Sequence, residues 1–397
     1  MNTIRRRFGR PLRLAVIGGG PGAWIGYMHR TAAELDGAFR VVGGVFASEP
    51  ARSRAAGVEL GYPADRCYGD VTELIAGERA RADGAEAVAI MTSNDTHYPF
   101  AAAALDAGLD VMCDKPVAET VDEARDLAQR TRRNARLFGI AHGYSGYPAI
   151  RHARALVGDG TIGAVRMVQV EYIQSGLATR LEDSAPTPRL RWLLDPARSG
   201  QSLVMSAIGC HAQHLACFVA QAPIARVCAD MGAVMPGRVV HDYASALIEL
   251  TNGARGTFTA TQAAAGAEND MRLRVYGDKG MLEWWHRDCN YVKLALQGEP
   301  ARVIGRGDPG STWAEPGTAR APRGHPEGLR EAFATLYDEL ANDRMLRSLG
   351  ETPPAPLYPT IDDGVHTMAF IEACVASSRD RCWVDVRFVD DNLMAAV

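Results

Sequence analysis

Apolar residues recur along this chain in two different ways, and the change between them divides it. From residue 13 to about 141, short apolar runs at Leu14–Ile17, Val41–Phe46, Ala87–Met91, Val111–Cys113 and Leu137–Ala141 alternate with helix-like stretches, notably Tyr98–Ala107 and Val121–Arg132. Near-continuous apolar strands separated by helices predict a doubly wound parallel sheet, whose strands are covered on both faces. After Tyr147 the pattern changes. Arg151–Val157 reads as a helix, and Ala164–Ile173 alternates as one long strand. Further strands read at Ala225–Met231, Tyr243–Leu250, Gly256–Ala263, Leu273–Tyr276, Met281–His286 and Val292–Leu296, with turns at Asn252-Gly253 and Asp278-Lys279-Gly280. This predicts an α+β domain with a large, open, mostly antiparallel sheet. Residues 305–325, rich in Gly, Pro and charge, read as a long loop before helices at Pro326–Asn342 and Ile361–Ser378. The expected division is a disordered tail over 1–12, an α/β domain over 13–141, and a substrate-binding and oligomerisation domain over 142–397.

Size and charge fit this division. A chain of 397 residues exceeds one ordinary core, and 47% hydrophobic with 23% charged residues is a globular composition. A net charge of −4, with no long basic cluster, argues against a nucleic-acid partner. No apolar run reaches membrane-spanning length, so no membrane partner is expected. The basic start, Arg5-Arg6-Arg7 with Arg10 and Arg13, lacks the apolar segment of an export signal and reads as a solvated tail. Eight cysteines without a CxxC pair fit unpaired thiols in a reducing cytoplasm.

Two motifs carry chemistry. The strand Arg13–Ile17 runs straight into Gly18-Gly19-Gly20-Pro21-Gly22-Ala23, which matches G-x-G-x-x-G/A through Gly18, Gly20 and Ala23. Gly18 permits a tight turn, Gly20 lets backbone approach a pyrophosphate, and Ala23 is expected to keep the next helix close. The helix Ala23–Leu35 and the strand Arg40–Phe46 complete a βαβ unit, so the first domain reads as a dinucleotide-binding Rossmann domain. The cofactor would meet Gly18, Gly20, Gly22, Ala23, Trp24 and Ile25 here. The second motif is Cys113-Asp114-Lys115-Pro116, which leaves a short buried strand at its carboxyl end, where ligands collect in open α/β sheets. A cis Lys115-Pro116 bond is one way to aim the lysine.

With Ser93-Asn94-Asp95-Thr96-His97 and Ile208-Gly209-Cys210-His211 added, the chain resembles the glucose–fructose oxidoreductase/inositol dehydrogenase superfamily from Arg13 to Ser378. It is most similar to that group's longer bacterial sugar dehydrogenases, through Trp192 with Asp195-Pro196, Arg274–Gly277 and Gly324–Gly328. The resemblance implies an NAD(P)-dependent dehydrogenase acting on a secondary hydroxyl of a sugar, sugar derivative or cyclitol. Lys115 would bind the substrate hydroxyl and the nicotinamide ribose, and His211 would be the general base. Ser93, Asn94, His97 and Asp114 would join the cofactor site. His142, Tyr144, Arg191, Trp192 and His325 would join Lys115 and His211 around the substrate. The resemblance also implies a homodimer or homotetramer formed through the second domain's sheet.

Several points depart from that pattern or stay open. The family commonly has an aspartate four residues before the histidine, and this chain has Ala207 there. Asp242 is a candidate replacement. NAD is the expected cofactor, with NADP open: Ser48 and Arg52 are able to accommodate a 2′-phosphate, while Glu49 either reaches a ribose or only starts a helix ahead of Pro50. Cys210, His214 and Cys217 share a helical face, but buried thiols are the plainer reading, and no metal is expected. The rival functions are a cofactor-retaining enzyme using transient oxidation for elimination, epimerisation or bond cleavage, and a non-catalytic dinucleotide-binding regulator.

Overall fold

In this computed structural model the described residues are 3–183, 193–196, 199–309, 311 and 319–388. The chain divides into two compact units. One comprises the residues up to Ala118 with Asp122–Gly146 and Leu329–Gly364; the other comprises Glu119–Val121, Tyr147–Gly328 and the chain from Val365 onward.

The first unit holds a five-stranded parallel sheet in the order β2-β1-β3-β4-β5, from β1 (Leu12–Gly18), β2 (Phe39–Val45), β3 (Ala87–Met91), β4 (Asp110–Cys113) and β5 (Phe138–Ile140). Every residue of β3 and β4 is buried, as strands covered on both faces require. The helices are α1 (Thr3–Phe8), α2 (Trp24–Leu35), α3 (Pro50–Glu59), α4 (Val71–Arg79), α5 (His97–Asp106) and α6 (Val121–Arg133). Asp70 starts α4 by accepting from the Glu73 amide at 2.8 Å. In α6, Asp122 and Glu123 sit in the first turn and Arg130, Arg132 and Arg133 in the last, which complements the helix dipole.

Two boundaries differ from the sequence expectation. The first residues do not form a disordered tail: α1 is helical, and its buried Arg5 pairs with Asp338 at 3.2 Å. A run of basic residues reads as solvated unless its acidic partner, here more than 300 residues away, is known. The second difference is the helix α9 (Leu329–Ser348), which belongs to the first unit. Phe333, Leu336, Tyr337, Leu340 and Met345 share one core with Leu14, Val16 and Met112. Arg344 also pairs with Asp110 of β4. The chain therefore returns to its first core, and the first unit's central stretch runs to Gly146 rather than 141.

The second unit holds a nine-stranded sheet in the order β13-β12-β11-β10-β6-β9-β8-β7-β14. Its strands are β6 (Val165–Gln174), β7 (Ile224–Gly232), β8 (Tyr243–Leu250), β9 (Arg255–Thr261), β10 (Asn269–Gly277), β11 (Gly280–Trp285), β12 (Tyr291–Leu296), β13 (Arg302–Gly305) and β14 (Val384–Asp385). All pairings are antiparallel except β6 with β9, as a mostly antiparallel sheet predicts. Alternation places Val168, Val170, Phe258, Met271, Leu273, Leu282 and Trp284 on one buried face. The helices α7 (Pro148–Gly158), α8 (Cys210–Ala220) and α10 (Ile361–Asp380) pack there, α10 through Phe370 against Phe258. The opposite face leaves Met167 37% and Leu247 53% exposed.

Candidate active site

In the first unit, the residues expected to hold a dinucleotide lie at the carboxyl end of the parallel sheet. A Cβ on Gly20 would come within 2.4 Å of the Phe46 carbonyl oxygen, so only glycine lets these segments approach. Gly22 has φ +78° and open space where a side chain would be. Ala23 is the N-cap of α2 and offers no side-chain cap, so no side chain of the cap residue satisfies the first amides of this twelve-residue helix. Uncapped amides beside an open glycine turn fit a bound pyrophosphate. The close packing expected of Ala23 falls one turn later: a Cβ on Gly26 would lie 2.3 Å from the Gly19 carbonyl oxygen. Three extra residues between turn and contact hid this from a fixed-spacing motif. Trp24 is 61% exposed, whereas Ile25 packs against the core.

Beyond β2, Ser48, Glu49 and Arg52 are all exposed. The Glu49 carboxylate caps α3, accepting from the Ala51 amide at 3.0 Å and the Arg52 amide at 2.7 Å. Pro50 occupies the first turn, so the local capping role open to Glu49 is the one present.

Lys115 leaves β4 through a cis bond to Pro116. Its amide donates to Asp114 Oδ1 at 2.7 Å, and the Asp114 amide donates to Ile90 O of β3 at 2.8 Å. Buried His97 joins the same two strand ends, with Nδ1 2.7 Å from Pro116 O and Nε2 3.2 Å from Thr92 O. Burial lowers its pKa, so the neutral ring has one N–H to donate, and the shorter contact favours Nδ1. Ser93 and Asn94 lie between these points, where Thr96 Oγ1 donates to Ser93 O at 2.7 Å. His142 and Tyr144 follow β5 and are buried. The turn Gly143–Gly146 that carries Tyr144 packs on Phe333 and Ala332 of α9, inside the first unit.

In the second unit, His211 stands at the start of α8 with its ring 6.4 Å from that of Tyr172, edge-on. Tyr172 lies on the covered face of the sheet, where one end turns polar. Its hydroxyl donates to Asn269 Oδ1 at 2.7 Å and accepts from Gln174 Nε2 at 3.1 Å. Gln262 Nε2 holds Gln174 Oε1 at 2.9 Å. His286 Nδ1 lies 3.0 Å from Asn269 O, and its Nε2 lies 3.3 Å from the Tyr147 hydroxyl. Burial lowers the His286 pKa and favours the neutral ring. None of these partners of Tyr172 stands out in the sequence. The available signal was polar side chains at strand ends in the parity that elsewhere is apolar.

The remaining expectations fall elsewhere. Arg191 and Trp192 lie outside the described residues. His325 lines a cavity of about 400 Å³ with Asn290, Tyr291, Arg306, Asp308 and Arg323, none of them on α8 or β6. Asp242 is not spare: its carboxylate is held by Arg238 at 3.0 Å and by the amides of Val234 at 2.8 Å and Met235 at 3.2 Å. Of the helical-face trio, Cys210 Sγ donates to Ser206 O at 3.2 Å, Gln213 reaches Cys217 Sγ at 3.4 Å, and His214 stacks on Phe218. Among the described residues no group of three acidic, histidine or cysteine side chains is placed to hold a metal ion.

Comparison with known proteins bears on this arrangement. Residues 12–142 match an oxidoreductase family with an NAD-binding Rossmann fold, and residues 150–283 match the GFO/IDH/MocA C-terminal domain. An uncharacterized oxidoreductase of Bacillus subtilis is 33% identical over 96% of this chain and 98% of its own length. The chain belongs to the GFO/IDH/MocA oxidoreductase family. An inositol dehydrogenase homolog of Azotobacter vinelandii, solved with NAD+, superposes with a TM-score of 0.90 at 35% identity, covering 97% of this chain and 100% of that one. Levoglucosan dehydrogenase of Pseudarthrobacter phenanthrenivorans is 24% identical over 75% of this chain and 79% of its length. The chain is thus an oxidoreductase with an NAD-binding Rossmann domain and a mixed-sheet second domain.

Ala207 takes on a structural meaning in this family member. Met205–Gly209 is a π-helical turn in which the Cys210 amide bonds to Met205 O, five residues back. A turn of this kind still leaves residues 207 and 211 about one turn apart, so what differs here is the side chain at 207 and not its register. Ala207 packs against the apolar cluster of Leu177, Leu203 and Val240.

Proposed function

We propose that this oxidoreductase uses NAD+ to oxidise a secondary hydroxyl of a sugar, sugar derivative or cyclitol. The observation that carries the proposal is Lys115, held at the carboxyl end of β4 by the Asp114 and His97 contacts, in the same sheet as the uncapped glycine turn. Bound NAD+ would accept the hydride. Lys115 binds the substrate hydroxyl, and its ammonium favours the alkoxide that develops there. His211 takes the hydroxyl proton, as an imidazole titrating near neutrality is suited to do. Ser93, Asn94, His97 and Asp114 shape the loop beside the cofactor. The substrate class is supported by the Azotobacter homolog, which is also solved with NADH and myo-inositol, and by the levoglucosan dehydrogenase relative.

NAD rather than NADP is preferred because a fold match that covers 97% of this chain carries NAD+, although Ser48 and Arg52 stand exposed beside the β2 end. Homo-oligomerisation through the open sheet face is supported by Met167 and Leu247, which alternation leaves outside the core. Light scattering at micromolar concentration checks it, and a monomer would rule it out. A cytoplasmic location is supported by the eight cysteines, none of which is in a disulfide.

The test of the activity is NADH formation from NAD+ across a panel of cyclitols, hexoses and anhydrosugars. Turnover on at least one, lost in Lys115→Ala with NAD+ binding retained, supports the reading. Turnover unaffected by Lys115→Ala contradicts it.

A further inference from the structure

The aromatic wall beside His211 is built as part of the base. Tyr172 belongs to β6, and its side chain is only 4% exposed. Register fixes its surroundings: Tyr172 faces Met271 of β10 and Ala260 of β9, while Gln174 faces Asn269. The phenol is therefore gripped from two directions, by Asn269 from β10 at 2.7 Å and by Gln174 from its own strand at 3.1 Å. Gln174 is itself held by Gln262, beyond the end of β9, at 2.9 Å. Three polar side chains thus immobilise one ring, whose neighbour is the His211 imidazole at 6.4 Å and 61°. A buried phenol hydroxyl must be paired, and here the pairing fixes the ring on a face that Val168 and Val170, four and two residues earlier, fill with apolar side chains alone.

Among the described residues, several charged groups on the elements around α8 have partners of their own. Arg151 and Arg154 of α7 lie over the Phe218 ring, Arg272 and Arg274 of β10 hold Glu283, and Asp270 accepts from Trp285. Buried His152 of α7 is held near neutral by its burial. Glu171 and the two β10 arginines point to the opposite face of the sheet by alternation. Arg255 starts β9 and is exposed. On α8 itself, His214 stacks on Phe218.

We propose that Tyr172 is a positioning residue for His211, occupying functionally the place that a carboxylate at position 207 does not fill. The tethered ring fixes the imidazole plane through the edge-on contact, and with it the direction from which His211 takes the substrate proton. This rests on the reading of His211 as the base.

Four variants test it: His211→Ala, Tyr172→Leu, Tyr172→Phe and Asn269→Ala. Folding is followed by circular dichroism and NADH binding by fluorescence, since the dinucleotide turn lies in the other unit. Tyr172→Leu should cut kcat about tenfold while leaving KM and NADH binding unchanged, the split expected when a base loses its alignment and the binding surface stays. Tyr172→Phe should recover only part of kcat, because the ring remains and its tether does not. Asn269→Ala should lower kcat as Tyr172→Phe does. A folded Tyr172→Leu with the wild-type kcat, or with kcat and KM changed in equal measure, would overturn the inference. If Tyr172→Leu does not fold, wild-type kcat in both Tyr172→Phe and Asn269→Ala overturns it. Should His211→Ala retain full turnover, the reading of the base fails first and is recognised by that variant alone.

Discussion

Arg238 and Asp242 form an ion pair sealed from solvent, with Nη1 3.0 Å from Oδ2 and neither side chain exposed. The guanidinium also bonds Leu177 O at 2.7 Å, Thr179 O at 2.9 Å and both oxygens of Glu182, so every one of its N–H groups is used. The Arg238 hydrogen bonds hold the Glu182 carboxyl below its ordinary pKa. Arg238→Ala would strand a buried carboxylate and should cost about 3–5 kcal/mol of stability. Urea unfolding of the variant measures this, and a loss within experimental error would show that the clamp is dispensable.

Residue 207 gives a second prediction. Ala207→Asp sets a carboxylate against Leu177, Leu203 and Val240, and burying an unpaired polar group costs about 1–3 kcal/mol. The expected result is a lower Tm with the acid limb of kcat/KM unmoved. A rise of that limb in a stable variant would mean that the new carboxylate turns from the apolar cluster and reaches His211.

The glycine turn separates folding from binding. Gly20→Ala should lower Tm, because its Cβ meets the Phe46 carbonyl oxygen at 2.4 Å. Gly22→Val, directed into open space but strained at a φ of +78°, should lower Tm too and, in the folded variant, weaken NAD+ by about tenfold or more, or at least ~1.4 kcal/mol. Calorimetry distinguishes them; unchanged affinity in Gly22→Val would remove the pyrophosphate from this turn.

Acid should weaken the fold before its carboxylates titrate. His29 and His97 are buried, and burial lowers both below the ordinary 6.5. Because the unfolded chain binds these protons more readily, the stability they hold is present above about pH 6.5 and is lost as pH falls below it. Urea midpoints at about pH 7.5 and about pH 5.5 check the sign, and greater stability at the lower pH would contradict it.

The sequence made the parallel sheet legible because β3 is apolar throughout and β4 is apolar after Asp110, and the glycine turn because backbone sterics leave few alternatives. It concealed α1 and α9 as parts of the first unit, since Arg5 and Tyr337 disclose their roles only beside Asp338 and His29, which Tyr337 meets at 2.6 Å. The same limit applied to the surroundings of His211. Tyr172 and Gln174 of β6, Asn269 of β10 and Gln262 after β9 are far apart in sequence, and only strand register brings the three segments together. Asp242 shows the reverse case, a carboxylate that composition marks as available and packing commits to Arg238.

The central claim is net hydride transfer from a polyol hydroxyl to NAD+. Its most direct test is the ratio of NADH formed to ketone formed on the best substrate of the panel, in wild type and in His211→Ala. The account predicts one NADH for each ketone, with both products falling together by about a hundred- to ten-thousand-fold in the variant. Product accumulating without NADH would contradict it and assign the site to transient oxidation instead.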